Sequence, residues 1–237
     1  MPATYEDSKP MKHAFSTILF FTLLGPAAFA QQTKVPAELD GLPLVFSEDF
    51  QKDRSRWEVT DEKAWEVKEE KSGDASNKFL SLTTRISNYQ PKVRSPHNIA
   101  LVKDLHLSDL IITFRVRNTE DTGGHRDCCV FFCHADAEHF YYVHAGAVPD
   151  PHSGQIMIVD GAPRQAMTKN TNKIPWGKGW HQVKLVRRAE TGEIKIFFDD
   201  MDKPVMEVKD SRFSKGLIGI GSFDDKNDFD DVAVYGR

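Results

Sequence analysis

The sequence predicts an all-β protein, a sandwich of two antiparallel sheets, on three observations. A dozen or so short runs alternate apolar with polar residues and are bounded by turns rich in Gly, Asp, Asn and Ser. No segment sustains the apolar period of an α-helix together with caps. The chain after residue 30 is about 207 residues long, within the range in which sandwiches fold as one domain.

The elements follow in order. Residues 1–30 read as a secretory signal, with translation expected to begin at Met11. Lys12 gives a short basic start, Ala14 to Leu24 an apolar run, and Ala28 and Ala30 the small residues for cleavage before Gln31. That run is shorter than the roughly 20 apolar residues a bilayer span needs. The mature protein is therefore expected to be exported, soluble, without a membrane span, and a monomer. Residues 31–43 form a polar linker, and 44–237 the sandwich. LVFSEDF, from Leu44 to Phe50, gives the first strand, followed by short runs at Arg56 to Val59, Ala64 to Glu70 and Phe79 to Arg85. Asp109 to Asn118 alternates cleanly: Ile112, Phe114 and Val116 share one face, and Thr113, Arg115 and Arg117 the other.

A central hairpin is expected from Cys128 to Ala145, turning at Ala135 to Glu138. With His134 opposite His139, Phe132 faces Tyr141 and Val130 faces Val143 on one side. Cys133 with Phe140, Phe131 with Tyr142, and Cys129 with His144 occupy the other. Both faces are largely apolar, so one is expected to meet the second sheet and the other to floor a groove. Cys128, Cys129 and Cys133 are the only cysteines. Cys129 and Cys133 lie about 13 Å apart along an extended strand at roughly 3.3 Å per residue, beyond disulfide reach, so buried free thiols are expected. Strands at Gly154 to Gly161, His181 to Arg188, Glu193 to Asp200 and Pro204 to Asp210 follow, and Gly216 to Gly236 gives two more around an acidic loop.

The ordered set SEDF, WHQVKLVRR, EIKIFFDD, FSKGLIGIGSFDD and FDDVAVYG resembles the concanavalin A-like jelly rolls of laminin-G and glucanase type. Within these it is similar to secreted bacterial domains grouped as 3-keto-disaccharide hydrolases, also known as a domain of unknown function. The resemblance spans Leu44 to Tyr235 and implies a jelly roll that binds, or cleaves, a carbohydrate. The glucanase signature Glu-x-Asp-x-Glu is absent, so no single strand offers the paired carboxyl groups of retaining hydrolysis.

Candidate chemistry is drawn from several places. His144 shares a face with Tyr142, and a groove role and core hydrogen bonding both remain open for it. In the groove reading His144 acts as a general base with Asp127 as its partner. Arg115, His125, Arg126, Tyr142 and Arg164 are the expected sugar contacts. Asp230 alternates with Val232 and Val234 and so points inward at a strand start. Glucanase-type jelly rolls often place a calcium-binding aspartate there, beside the first strand, which pairs Asp230 with Glu48 for a structural Ca2+. A net charge of -4 with interspersed signs gives no electrostatic case for nucleic acid. The rival reading is a non-catalytic interaction domain of laminin-G type.

Overall fold

The computed structural model describes residues 35–237. The signal-like start and the first residues of the expected linker lie outside them. In chain order the strands are β1 (Glu38–Leu39), β2 (Leu42–Glu48), β3 (Trp57–Val59), β4 (Trp65–Ser72), β5 (Ala75–Leu82), β6 (Asn98–Val102), β7 (Leu110–Asn118), β8 (Cys129–Asp136), β9 (His139–His144), β10 (Gln155–Asp160), β11 (Gln165–Ala166), β12 (His181–Arg188), β13 (Glu193–Phe198), β14 (Met206–Lys209), β15 (Leu217–Ser222) and β16 (Asn227–Gly236). One 3-10 turn, Gly123–His125, precedes β8.

Two antiparallel sheets make the sandwich. One has nine strands, in the order β1-β2-β16-β7-β12-β13-β14 with the β4–β5 hairpin attached to β16 through β5. The other has seven, in the order β11-β10-β9-β8-β15-β6-β3. Alternation places Phe114, Val116, Leu185, Ile196, Phe229 and Val234 of the first against Val130, Phe132, Tyr141, Val143, Ile156 and Ile220 of the second. Glu38–Leu39 pairs back onto β2, so part of the expected linker belongs to the sheet. The strand at Asn98–Val102 was not foreseen, because four of its five residues are buried and the run shows no alternation.

The central hairpin keeps its expected register through Cys129 with His144, Val130 with Val143, Phe131 with Tyr142 and Phe132 with Tyr141. Beyond that the expectation fails. Asp136 pairs with His139, and Cys133 adopts φ +47° in a bulge, so His134 does not meet His139 and instead lies opposite Leu217 of β15. Two local causes act together. The Asp136 carboxylate accepts the Glu138 N–H at 2.8 Å and lies 2.9 Å from His139 Nδ1, which fixes a tight turn. Gly216 lets the neighbouring backbone pass the bulge, since a Cβ there would sit 2.4 Å from the Cys133 carbonyl carbon. As a result Cys133 turns into the core, while His134 turns out and stacks on Phe140 at 4.8 Å. All three cysteines are free and buried.

The outer face of the seven-stranded sheet is not an open groove floor. Phe131, Phe140 and Tyr142 are fully buried there, with Val93 of the β5–β6 connection packed against them. That connection is fastened by Lys92 to Glu138 at 3.0 Å and by the Arg164 N–H donating to the Arg94 carbonyl at 2.9 Å.

Candidate functional site

The expected site residues divide between opposite faces of the sandwich. On the seven-stranded sheet, β9 brings His144 to the segment that leads into β8, and His144 Nε2 lies 3.2 Å from Asp127 Oδ2. The Asp127 Oδ1 accepts from Ser222 Oγ at 2.7 Å and from the Phe223 N–H at 3.3 Å. The His144 ring stacks on Phe223, and Arg164 lies over the same Phe223 ring at 3.9 Å. His144, Asp127, Tyr142 and Arg164 are therefore gathered as the sequence suggested. Yet His144 is only 5 % exposed and Tyr142 is fully buried, so a sugar ring has no open surface to stack on there. His125 is exposed in the 3-10 turn, and the Arg126 side chain donates to the Gly123 and Gly177 carbonyls at the surface. Neither joins the buried group.

Arg115 is not in that groove at all. It projects from the outer face of the nine-stranded sheet, away from the hairpin it was expected to join, because β7 belongs to the other layer. What it meets there is a second constellation, and β16 explains why. In the antiparallel register Asp228 is opposite Arg117 and Asp230 opposite Arg115, so two acids and two arginines spaced by two residues fall on one face. Arg115 Nη2 donates to Asp230 Oδ2 at 2.9 Å, and its Nε lies 2.6 Å from Asp231 Oδ2. Arg117 pairs with Asp228 at 2.9 Å and with Glu70 at 2.7 Å. Trp180 carries both guanidinium groups, Arg115 at 4.9 Å and Arg117 at 4.6 Å from its ring centre, with Phe79 edge-on at 5.7 Å.

A bulge makes room beside this cluster. β16 pairs with β5 at Asp228 and Phe229, then with β2 from Val232 onward, and Asp231 between them takes φ +49°. A cleft of about 810 Å³ opens along this junction, lined by Ser47, Glu48, Gln51, Arg115, Gln182 and Asp231 among others. The loop carrying Trp180 is pinned from below: His181 Nδ1 lies 2.8 Å from Asp199 Oδ2, while its Nε2 accepts the Gly177 N–H at 3.0 Å. Reading the sequence missed Arg117, Asp228, Asp231 and Trp180 as a group. The matching two-residue spacing of Arg115-x-Arg117 and Asp228-x-Asp230 was the available signal.

The donor set at Asp230 and Glu48 does not suit calcium. Asp230 accepts from Asn77 Nδ2 at 2.8 Å, from Arg115 and from the Asp231 N–H at 2.8 Å, while Glu48 accepts the Phe50 N–H and faces Arg56 at 3.6 Å. A hard cation wants six or more oxygen ligands without a guanidinium among them. Among the described residues no group of three or more His, Cys, Asp or Glu converges as a metal site. Thermal melts in calcium and in chelator are accordingly expected to superimpose. A structural ion at about 100 times its dissociation constant would instead add about 2.7 kcal/mol.

No protein-family model matches the sequence, and no curated protein does. Solved structures do match. A carbohydrate binding module, CBM66 from Bacillus subtilis, superposes with a TM-score of 0.52 at 17 % identity over 76 % of this chain and 96 % of its own. Domain 4 of AbnA, a GH43 extracellular arabinanase from Geobacillus stearothermophilus in complex with arabinotriose, gives 0.53 at 11 % over 81 % and 92 %. Winged bean acidic lectin complexed with methyl-α-D-galactose gives 0.53 at 10 % over 80 % and 97 %. The chain has the concanavalin A-like jelly-roll fold.

Proposed function

We propose that this protein binds a glycan on the outer face of the nine-stranded sheet, at the cleft beside Arg115 and Trp180. The observation that carries the reading is the convergence of Arg115, the Glu48 and Asp231 carboxylates and the Gln51 and Gln182 carboxamides on one cleft of about 810 Å³, with the Trp180 ring 4.9 Å from the Arg115 guanidinium. Vicinal sugar hydroxyls present a donor and an acceptor side by side, which guanidinium, carboxylate and carboxamide groups match in pairs. The ion pairs of Arg115 and Arg117 hold those groups in place before any ligand arrives, which lowers the ordering cost of binding. The sugar ligands of the structurally similar lectin and arabinanase domain agree with this reading by analogy of fold. With the signal-like start, the binding is assigned to a protein exported from the cell.

Hydrolysis is not part of the proposal. His144 and Asp127 are paired as a base and its partner would be, but the imidazole is only 5 % exposed and is held between Tyr142 and Phe223.

Isothermal titration against a panel of neutral oligosaccharides, including arabinotriose, methyl galactoside and 3-keto-glycosides, tests the reading. Trp180→Ala and Arg115→Gln variants that melt cooperatively are expected to bind at least ten-fold more weakly, a loss of about 1.4 kcal/mol. If no glycan binds the wild type, or if both variants bind as it does, the interaction-domain reading takes over.

A further inference from the structure

On the opposite face, Arg164 is a guanidinium without a counter-ion. It lies over the Phe223 ring at 3.9 Å, and its Nε and Nη1 are buried with no hydrogen-bond partner. Neither it nor Arg94 makes an ion pair among the described residues. Arg94 is held alongside, its carbonyl accepting the Arg164 N–H at 2.9 Å and its own guanidinium 6.0 Å from the same ring. His97 meets that ring edge-on at 5.4 Å and His144 stacks on it at 5.7 Å. Nδ1 of His144 and the hydroxyl of fully buried Tyr142 have no partner at ordinary hydrogen-bond geometry. Burial pushes the Tyr142 hydroxyl up, and the Arg164 charge together with a weak hydrogen bond from Arg164 opposes that push, leaving the Tyr142 O–H free to donate.

Such an arrangement is costly as it stands. A cation edge out of water with no acceptor, beside an unsatisfied buried hydroxyl, loses solvation that nothing in the chain returns. Asp127, which also acts on the Tyr142 hydroxyl, is already committed to His144, Ser222 and the Phe223 main chain. A ligand that accepts from both Arg164 nitrogens and from Tyr142 would satisfy all three donors at once. The fork of a guanidinium selects a planar oxyanion with two oxygens on one carbon.

We propose that Arg164, Arg94 and Tyr142 around Phe223 form a carboxylate-binding subsite, separate from the cleft at Arg115. Arg164 and Tyr142 supply the inner donors. Exposed Arg94 and half-buried Phe223 flank them on the solvent side. A uronic acid residue of a glycan and a small free carboxylate share this chemistry.

The test is titration of the full chain with glucuronate, acetate and glucose at constant ionic strength, followed by calorimetry and by melting temperature. Saturable binding of glucuronate is expected, with none of glucose. Acetate binding ten-fold or more weaker than glucuronate identifies an acidic sugar as the ligand, and equal binding identifies a small carboxylate. Arg164→Gln is expected to weaken binding at least ten-fold, and Tyr142→Phe several-fold. Arg94→Ala, at an exposed position, serves if Arg164→Gln does not fold, and it too should weaken binding. Binding of glucuronate that neutral glucose does not share keeps this subsite distinguishable from the cleft on the other face, which is proposed to take neutral glycans. No response to any carboxylate, or folded Arg164→Gln and Arg94→Ala proteins that respond as wild type does, would mean that the unpartnered atoms hold water only and would overturn the proposal.

Discussion

Replacing Asp127 by alanine is expected to cost about 3–5 kcal/mol of folding stability, because it takes the acceptor away from several buried groups at once. The side chain is a junction of three segments. Its carboxylate takes His144 of β9, Ser222 at the end of β15 and the Phe223 N–H, and none of these acquires another acceptor when it is gone. Each donor left dry costs about 1–3 kcal/mol. The main chain of Asp127 adds ties of its own, its N–H donating to Asp225 Oδ2 at 2.9 Å and its carbonyl accepting from Asn227 Nδ2 at 2.9 Å, so the site cannot relax freely. Urea unfolding should show a lower midpoint with an unchanged slope. Asp127→Asn keeps one acceptor oxygen and should fall between. A stability change of Asp127→Ala below about 1 kcal/mol would show that water replaces the carboxylate and that the junction does not depend on it.

A second large effect is expected from Asp225→Asn, and it should depend on pH. Burial, together with the neighbouring Asp127 carboxylate, raises Asp225 from 3.8 to about 6. The folded chain therefore holds a proton that the unfolded chain releases between about pH 4 and pH 6, and stability falls as the pH rises through that window. Two units at 1.36 kcal/mol each amount to roughly 3 kcal/mol. The wild-type profile does not display this alone. Asp230, raised to about 6 chiefly by burial, acts in the same sense. His134 acts oppositely, because burial lowers it to about 4 and its contribution grows as the pH rises from there. The difference between variant and wild type isolates the one group. Asparagine resembles the protonated acid, so the variant should gain on wild type by roughly 3 kcal/mol from pH 4 to pH 7. A difference that stays constant across that range would place the Asp225 ionisation outside it.

Much of the architecture was legible because it is written in local patterns. Alternation with period two assigns Ile112, Phe114 and Val116 to the core and Arg115 and Arg117 to the outside, whatever the strand pairs with. Four residue pairs of the central hairpin follow from the same rule. The rule stopped at Cys133, where a bulge adds residues and exchanges faces, and it could not see β6, whose two covered faces erase alternation.

The sequence by itself determined the all-β class and, wherever a strand runs without a bulge, its inward and outward faces; at Cys133 and at Asp230, expected to point inward but placed on the outer face with Arg115, bulges reversed them. Tertiary structure alone decided where the candidate residues lie and whether a ligand can reach them. Covering Tyr142 required the β5–β6 connection to cross its sheet, His144 was covered by Phe223, and Arg115 acquired Asp230 only when β16 paired with β7. Asp127 contacts Ser222 and Asn227, some 95 and 100 residues along the chain. Contacts at such separations are fixed by which strands become neighbours, and no periodicity within a single strand carries that information.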